Sequence, residues 1–175
     1  MINAQIPPHV DPRKLADRSI SFAGELPLQQ FSRACELLTD TAGDVQVEFE
    51  FSRDQQQVAV VQLKLESKVK MICQRCLDEA VIPVKGEYLY AIVQPGTDAL
   101  HLPQGYDVLE VGEEPLDLLT LAEDELLLAL PIVPMHPPEE CQQPAGLIEP
   151  ESNEDEVTRS NPFSVLAQLK RDPNV

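Results

Sequence analysis

Lysine and arginine are missing from residues 86–158 altogether, a run that holds 17 of the 30 acidic residues of this 175-residue chain. The other positions carry 13 acids and all 13 bases, so the formal charge of −17 belongs to one contiguous stretch. That absence excludes a phosphate-binding surface built from this half, because nucleic-acid binding rests on clustered Lys and Arg. An acidic face suits a basic protein partner, or plain solubility. Glycine is scarce, 7 against 16 prolines, which points to long irregular connections. There is no phosphate-cradling glycine loop and no Gly-x-Ser-x-Gly elbow, so two common catalytic frames are missing. No uncharged apolar run reaches 18 residues, and no transmembrane helix is expected. The first eight residues lack a basic segment followed by an apolar one, so no signal peptide is expected either. The four cysteines then read as reduced thiols of a soluble, cytoplasmic protein with no membrane partner.

A hydrophobic fraction of 43% is enough for one packed domain. Pro7, Pro8 and Pro12 make residues 1–17 look like an extended arm without regular helix. Ile20 and Phe22 suggest a short strand before Gly24. Pro27 should open a helix with Leu28, Phe31, Cys35 and Leu38 on one face. Val45, Val47, Phe49 and Phe51 then alternate with polar residues, as do Val61, Leu63, Leu65, Val69 and Met71, broken only by Ser67. A third long strand covers roughly Val81 to Val93, with Val84, Tyr88, Tyr90 and Ile92 on one side. Short polar turns between these runs imply an antiparallel meander of three or more strands, and residues 106–111 suit a short edge strand. Leu116 to Leu130 reads as a leucine-rich helix packed on the sheet, with Leu119, Ala122, Leu126 and Leu130 inward and the acids outward. The fold class is α+β. The expected organisation is a domain over 1–136, an acidic disordered linker over 137–160, and a short C-terminal helix over 161–175 with Phe163, Leu166 and Leu169 on one face. About two turns of helix cannot persist alone, so that tail should dock on its own domain or on a partner.

Cys73-Gln74-Arg75-Cys76 is the strongest local motif. Two thiols at this spacing in a turn between strands can clasp one metal ion, and a structural zinc needs two further ligands. His136 and Cys141 are the downstream candidates, reachable only through tertiary structure. Unligated cysteines packing in a turn remain an alternative reading. A thioredoxin-like redox pair would want the second cysteine to enter a helix, whereas strand residues follow here. Lys64, Lys68, Lys70, Arg75 and Lys85 form a basic cluster on the second and third strands and the turn. They are candidates for RNA phosphate contact, or for a charge-balanced surface near Glu48, Glu50 and Glu66. Glu123, Asp124 and Glu125 are candidate partner contacts on the exposed face of the leucine helix. As a metal-dependent RNA-processing site they are poorly arranged, since adjacent helical positions point about 100° apart.

Three strings together resemble one family. They are Met71–Leu77 around the cysteine turn, Asp117–His136 through the leucine helix to Leu128-Ala129-Leu130-Pro131-Ile132-Val133-Pro134-Met135-His136, and Asn161–Lys170. In their order and spacing they resemble the proteobacterial form of the YceD family, the large ribosomal RNA subunit accumulation proteins. The resemblance implies a role in producing or stabilising 23S ribosomal RNA and carries over no catalytic residue. It also implies that a cysteine-rich cluster after the leucine helix completes a zinc site in other branches, where this chain offers only His136 and Cys141. The expected function is a non-enzymatic assembly factor for the large subunit. Its expected partners are a basic large-subunit ribosomal protein or a pre-ribosomal particle, with direct 23S ribosomal RNA binding as the alternative.

Overall fold

A computed structural model describes residues 6–97 and 105–141. Five strands form one sheet in the order β2-β3-β4-β5-β6. They are β2 (Ser21–Pro27), β3 (Asp44–Arg53), β4 (Ala59–Ile72), β5 (Glu79–Val93) and β6 (Asp107–Glu110). The first four pair antiparallel with neighbouring strands in sequence, placing Phe22, Phe49, Leu63 and Tyr88 in one row. Alternation is what builds this sheet. Val45, Val47, Phe49 and Phe51 of β3 and Val61, Leu63, Leu65, Val69 and Met71 of β4 all turn into the core, while the residues between them face the other side. Ser67 keeps the same phase and is buried, because its hydroxyl donates to the Asp44 carbonyl at 3.0 Å.

The edge strand departs from a pure meander: β6 runs parallel to β5, with Tyr90 opposite Asp107 and Val93 opposite Glu110. The arm also holds more structure than its prolines imply. After the two-residue β1 (His9–Val10), α1 covers Pro12–Asp17. Pro12 sits at the first helical position, where no N–H is required, and Asp11 caps the helix by accepting from Lys14 N. β1 pairs with β7 (Leu116–Asp117), which ties the arm to the start of the leucine helix. From α1, Arg13 donates to the carbonyls of Val93 and Val111 at 3.0 and 2.7 Å, clamping the ends of β5 and β6.

The helix expected after Pro27 is split into a 3-10 turn (Leu28–Gln30) and α2 (Ser32–Cys35), with Phe31 leaving the helical conformation between them. Leu28, Phe31 and Ala34 are nonetheless fully buried. α3 spans Leu118–Ala129 and lies on the core side of β4 and β5. Asp117 caps it through Leu119 N and Thr120 N. Its buried face runs through Leu118, Leu121, Ala122, Glu125 and Leu126, with Leu119 only half-buried. The helix ends where Leu130 turns extended ahead of Pro131. Among the described residues, no helix is long and apolar enough to cross a membrane.

Candidate metal centre and its surroundings

β4 and β5 are joined by a knuckle in which Cys73 N donates to Asp78 O and Leu77 N donates to Cys73 O, both at 2.9 Å. Leu77 adopts φ 65°, the left-handed step that closes so tight a turn. Across from it, the chain leaving α3 runs extended over the knuckle, and Pro134 O accepts from Gln74 N at 2.9 Å. A further turn, Glu140 N to Pro137 O, then carries Cys141 to the same place. In this way β5 and α3 close the long sequence gap between Cys76 and His136.

The ligand atoms of Cys73, Cys76, His136 and Cys141 all lie within 4.8 Å of one another. Cys73 Sγ is 3.9 Å from Cys141 Sγ, and Cys76 Sγ is 3.3 Å from His136 Nδ1. A tetrahedral zinc, with bonds of about 2.3 Å to sulfur and 2.0 Å to nitrogen, sets its donors roughly 3.5–3.8 Å apart. The four side chains therefore fit a Cys3His zinc site. The outer contacts agree with that donor set. A carbonyl can only accept, so the 3.0 Å contact of His136 Nε2 with Glu79 O places a hydrogen on Nε2. In the neutral ring, Nδ1 is then left as the lone pair facing the thiols, the arrangement that orients metal-ligating histidines. Four cysteine and histidine ligands leave no open position, so the site would brace the fold and not activate water.

Without a metal the thiols are strongly unequal. Burial alone would raise Cys73, but the N–H groups of Cys76, His136 and Arg75 point at its sulfur and bring it down to about 5. At Cys76 the Asp78 N–H works downward, yet burial and the neighbouring Cys73 and Cys141 thiols carry it up to about 11. His136 is raised above its ordinary value, chiefly by its contact with Cys73. Cys35 stands apart from the cluster, with its thiol against the Leu28 carbonyl at 3.3 Å.

The basic cluster is largely compensated. Lys64 lies 3.8 Å from Glu87, and Lys85 lies 3.6 Å from Glu66. Lys70 bridges Asp40 and Glu79 at 3.0 and 3.1 Å, and these contacts raise its pKa. Thr39 joins the same group by donating to Glu79, so this end of the sheet is a small polar network. Among the described residues, Lys68 and Arg75 have no carboxylate partner, and Arg75 reaches instead to Met135 Sδ at 3.6 Å.

The acidic string of α3 is not an exposed face, which corrects the expectation from the sequence. Glu123 is 7% and Glu125 3% exposed; only Asp124 is open to solvent. Glu123 accepts from Arg33 N at 2.7 Å and from Arg33 Nε at 2.9 Å, so it anchors the start of α2. Asp124 completes the clasp by pairing with Arg33 Nη2 at 2.8 Å. Glu125 faces the sheet, where its Oε1 accepts from the Tyr90 hydroxyl and its Oε2 has no partner among the described residues. Tyr88 donates to the backbone carbonyl of the same residue at 3.2 Å. Period 3.6 did carry a sign of this, since 118, 121, 122, 125 and 126 fall on one stripe. Phe163, Leu166 and Leu169, and the expected linker beyond Cys141, lie outside the described residues.

Residues 61–170 match the family model described as large ribosomal RNA subunit accumulation protein YceD. Over 98% of its length the chain is 34% identical to a Haemophilus influenzae protein named large ribosomal RNA subunit accumulation protein YceD, of which it covers 99%. No solved structure matches the chain.

Proposed function

The chain belongs to the YceD family of large ribosomal RNA subunit accumulation proteins, and from that premise we propose that it is a non-enzymatic assembly factor that holds a basic ribosomal protein. The observation that carries this reading is the charge distribution. From Gly86 to Thr158 every formally charged residue is an acid. Rows of Asp and Glu offer a basic ribosomal protein the kind of charge it otherwise finds on phosphate. Attraction of this kind speeds encounter and weakens with salt, as the Debye length falls from about 10 Å at 0.1 M to 3 Å at 1 M. On this reading the cysteine–histidine cluster holds a structural zinc that pins the end of α3 to the knuckle. Phe163, Leu166 and Leu169 serve as further apolar contacts for the partner. The protein works in the cytoplasm, where the large subunit is built.

Direct 23S ribosomal RNA binding is the second reading, favoured only by Lys68 and Arg75. The pairing of Lys64, Lys70 and Lys85 with carboxylates weighs against it, because counterion release needs cations available to phosphates. One experiment separates the two. The tagged chain is purified from its own cells at low and at high salt, with and without nuclease, and both proteins and RNA in the eluate are identified. The escort reading expects a basic large-subunit protein that survives nuclease and is lost at high salt. Recovery of pre-ribosomal RNA, with every protein lost on nuclease treatment and binding weakened by Lys68→Glu or Arg75→Glu, would establish the RNA reading instead.

A further inference from the structure

Nine large hydrophobic side chains are exposed among the described residues, and four of them lie in one run of eight. Leu128 is 75%, Ile132 98%, Val133 55% and Met135 44% exposed. Single apolar residues scattered over a surface call for no explanation, but a contiguous set does. This set is also rigidly held. Leu130 and Pro134, within the same run, are buried, and Leu130 N still bonds to Leu126 O at 3.1 Å. Farther along, Pro134 O is fixed by Gln74 N, and His136 N points at Cys73 Sγ at 3.4 Å. Pro131 and Pro134 fix the backbone further, since each locks φ and removes a donor. The result is an apolar ledge running from the last turn of α3 to the cysteine cluster, its backbone tied at Leu130, Pro134 and His136.

We infer that this ledge is the docking surface for a segment of the partner that carries lysine or arginine between apolar residues. The inference rests on the escort reading above and names where the escorted protein would sit. Charge complementarity selects the occupant. Leu128 to Met135 lies inside the stretch that lacks Lys and Arg, with exposed Asp124 four residues before it and exposed Glu139 and Glu140 just after it. Two cations reach its margins: Arg33 is held by Glu123 and Asp124, and Arg75 lies along Met135. With Asp124 answered by Arg33, the exposed Glu139 and Glu140 and the surrounding stretch without Lys or Arg set the sign, which repels an anionic lipid surface or nucleic acid. It also disfavours a second copy of a chain of charge −17. A basic segment with apolar side chains satisfies both parts of the surface.

The test places a photoreactive benzoylphenylalanine at position 132 of the full-length chain, where a side chain 98% exposed can be exchanged without touching the core. Cross-linking in cells followed by peptide mapping should give a Lys- or Arg-bearing apolar stretch of a large-subunit ribosomal protein. Cross-links to the chain's own Phe163–Arg171 stretch, to a second copy, or to nothing would overturn the inference. In parallel, the Ile132→Ser/Val133→Ser double variant, which leaves every charge in place, should keep its thermal midpoint and hold the captured protein about tenfold more weakly. That is the change expected from losing roughly one side chain's worth of apolar burial. If the double variant captures the basic protein as well as the unaltered chain does, the ledge is not the docking surface and the escort reading stands. If the unaltered chain captures none, the escort reading itself fails.

Discussion

Replacing Glu125 with methionine should stabilise this protein, and the gain should grow with pH. The side chain is 3% exposed, and Oε2 meets no donor among the described residues. Burial raises its pKa above the ordinary 4.5, with Asp124 and Asp107 adding to the effect and the Tyr90 hydroxyl opposing it. The sign follows from linkage. Below about pH 4.5 the carboxyl is protonated in folded and unfolded chains alike, and folding carries no ionisation cost. From there up to the elevated folded value the unfolded chain gives up its proton while the native carboxyl keeps it, so stability falls, and it levels off once the native carboxyl ionises. An unpaired buried polar atom costs about 1–3 kcal/mol. Methionine fills a similar volume without it, while leaving the Tyr90 hydroxyl to find water. The expected gain at pH 8 is therefore about 1–2 kcal/mol, roughly 3–8 °C in thermal midpoint for a domain of this size. Urea unfolding of both proteins from pH 5 to 8 measures it, the lower limit set by a pI of about 4.4. Glu123→Met supplies the contrast: it strips Arg33 N and Arg33 Nε of their acceptor, so it should destabilise at every pH in the series. A pH-independent difference for Glu125→Met, or a loss at pH 8, would refute the account of Glu125 as a buried acid with one unsatisfied oxygen.

The purified chain should bind one zinc per molecule, and Cys76→Ser or Cys141→Ser should weaken that binding by well over the 10–100-fold that losing an outer-sphere partner costs, as read by a chromogenic chelator competition. Zinc uptake at pH 7.5 should release at least one proton, because the metal-free Cys76 thiol stands near 11 and must ionise to ligate. Cys73, near 5, should contribute none, and calorimetry in two buffers of different ionisation enthalpy counts the protons. Zinc affinity should accordingly fall as pH falls. Gly86→Ala should cost about 1–3 kcal/mol in chemical denaturation, since a Cβ there would come 2.5 Å from the Tyr88 ring. That ring cannot yield without disturbing its hydrogen bond to Glu125 O.

What could be read in advance follows from how local each signal is. β3, β4 and β5 declared themselves because a period of two, sustained over ten or more residues, has one consistent burial pattern. Pro12 misled because a proline excludes the middle of a helix but not its first position, and only Asp11 beside it signalled the cap. The helix expected to open at Pro27 breaks at Phe31 because its second part is fastened from outside, by a Glu123 carboxylate 90 residues away. The same contact explains why the acids of α3 depart from the exposed face their sequence suggests. An acid is assumed exposed until a partner is known, and Arg33, Ala34 and Tyr90 are partners that no window of sequence contains. The metal centre was half legible, since Cys73 and Cys76 lie in one turn, while His136 and Cys141 join them only because α3 packs back across β5. The apolar ledge is hidden in the sequence for the opposite reason. Leu128, Ile132 and Val133 look like core in a string of leucines and prolines, and only the fold shows that Leu130 and Pro134 are the buried members of that run. An apolar residue left out of the core, in a protein with this much charge to stay soluble, therefore says more about a partner than any of its acids does.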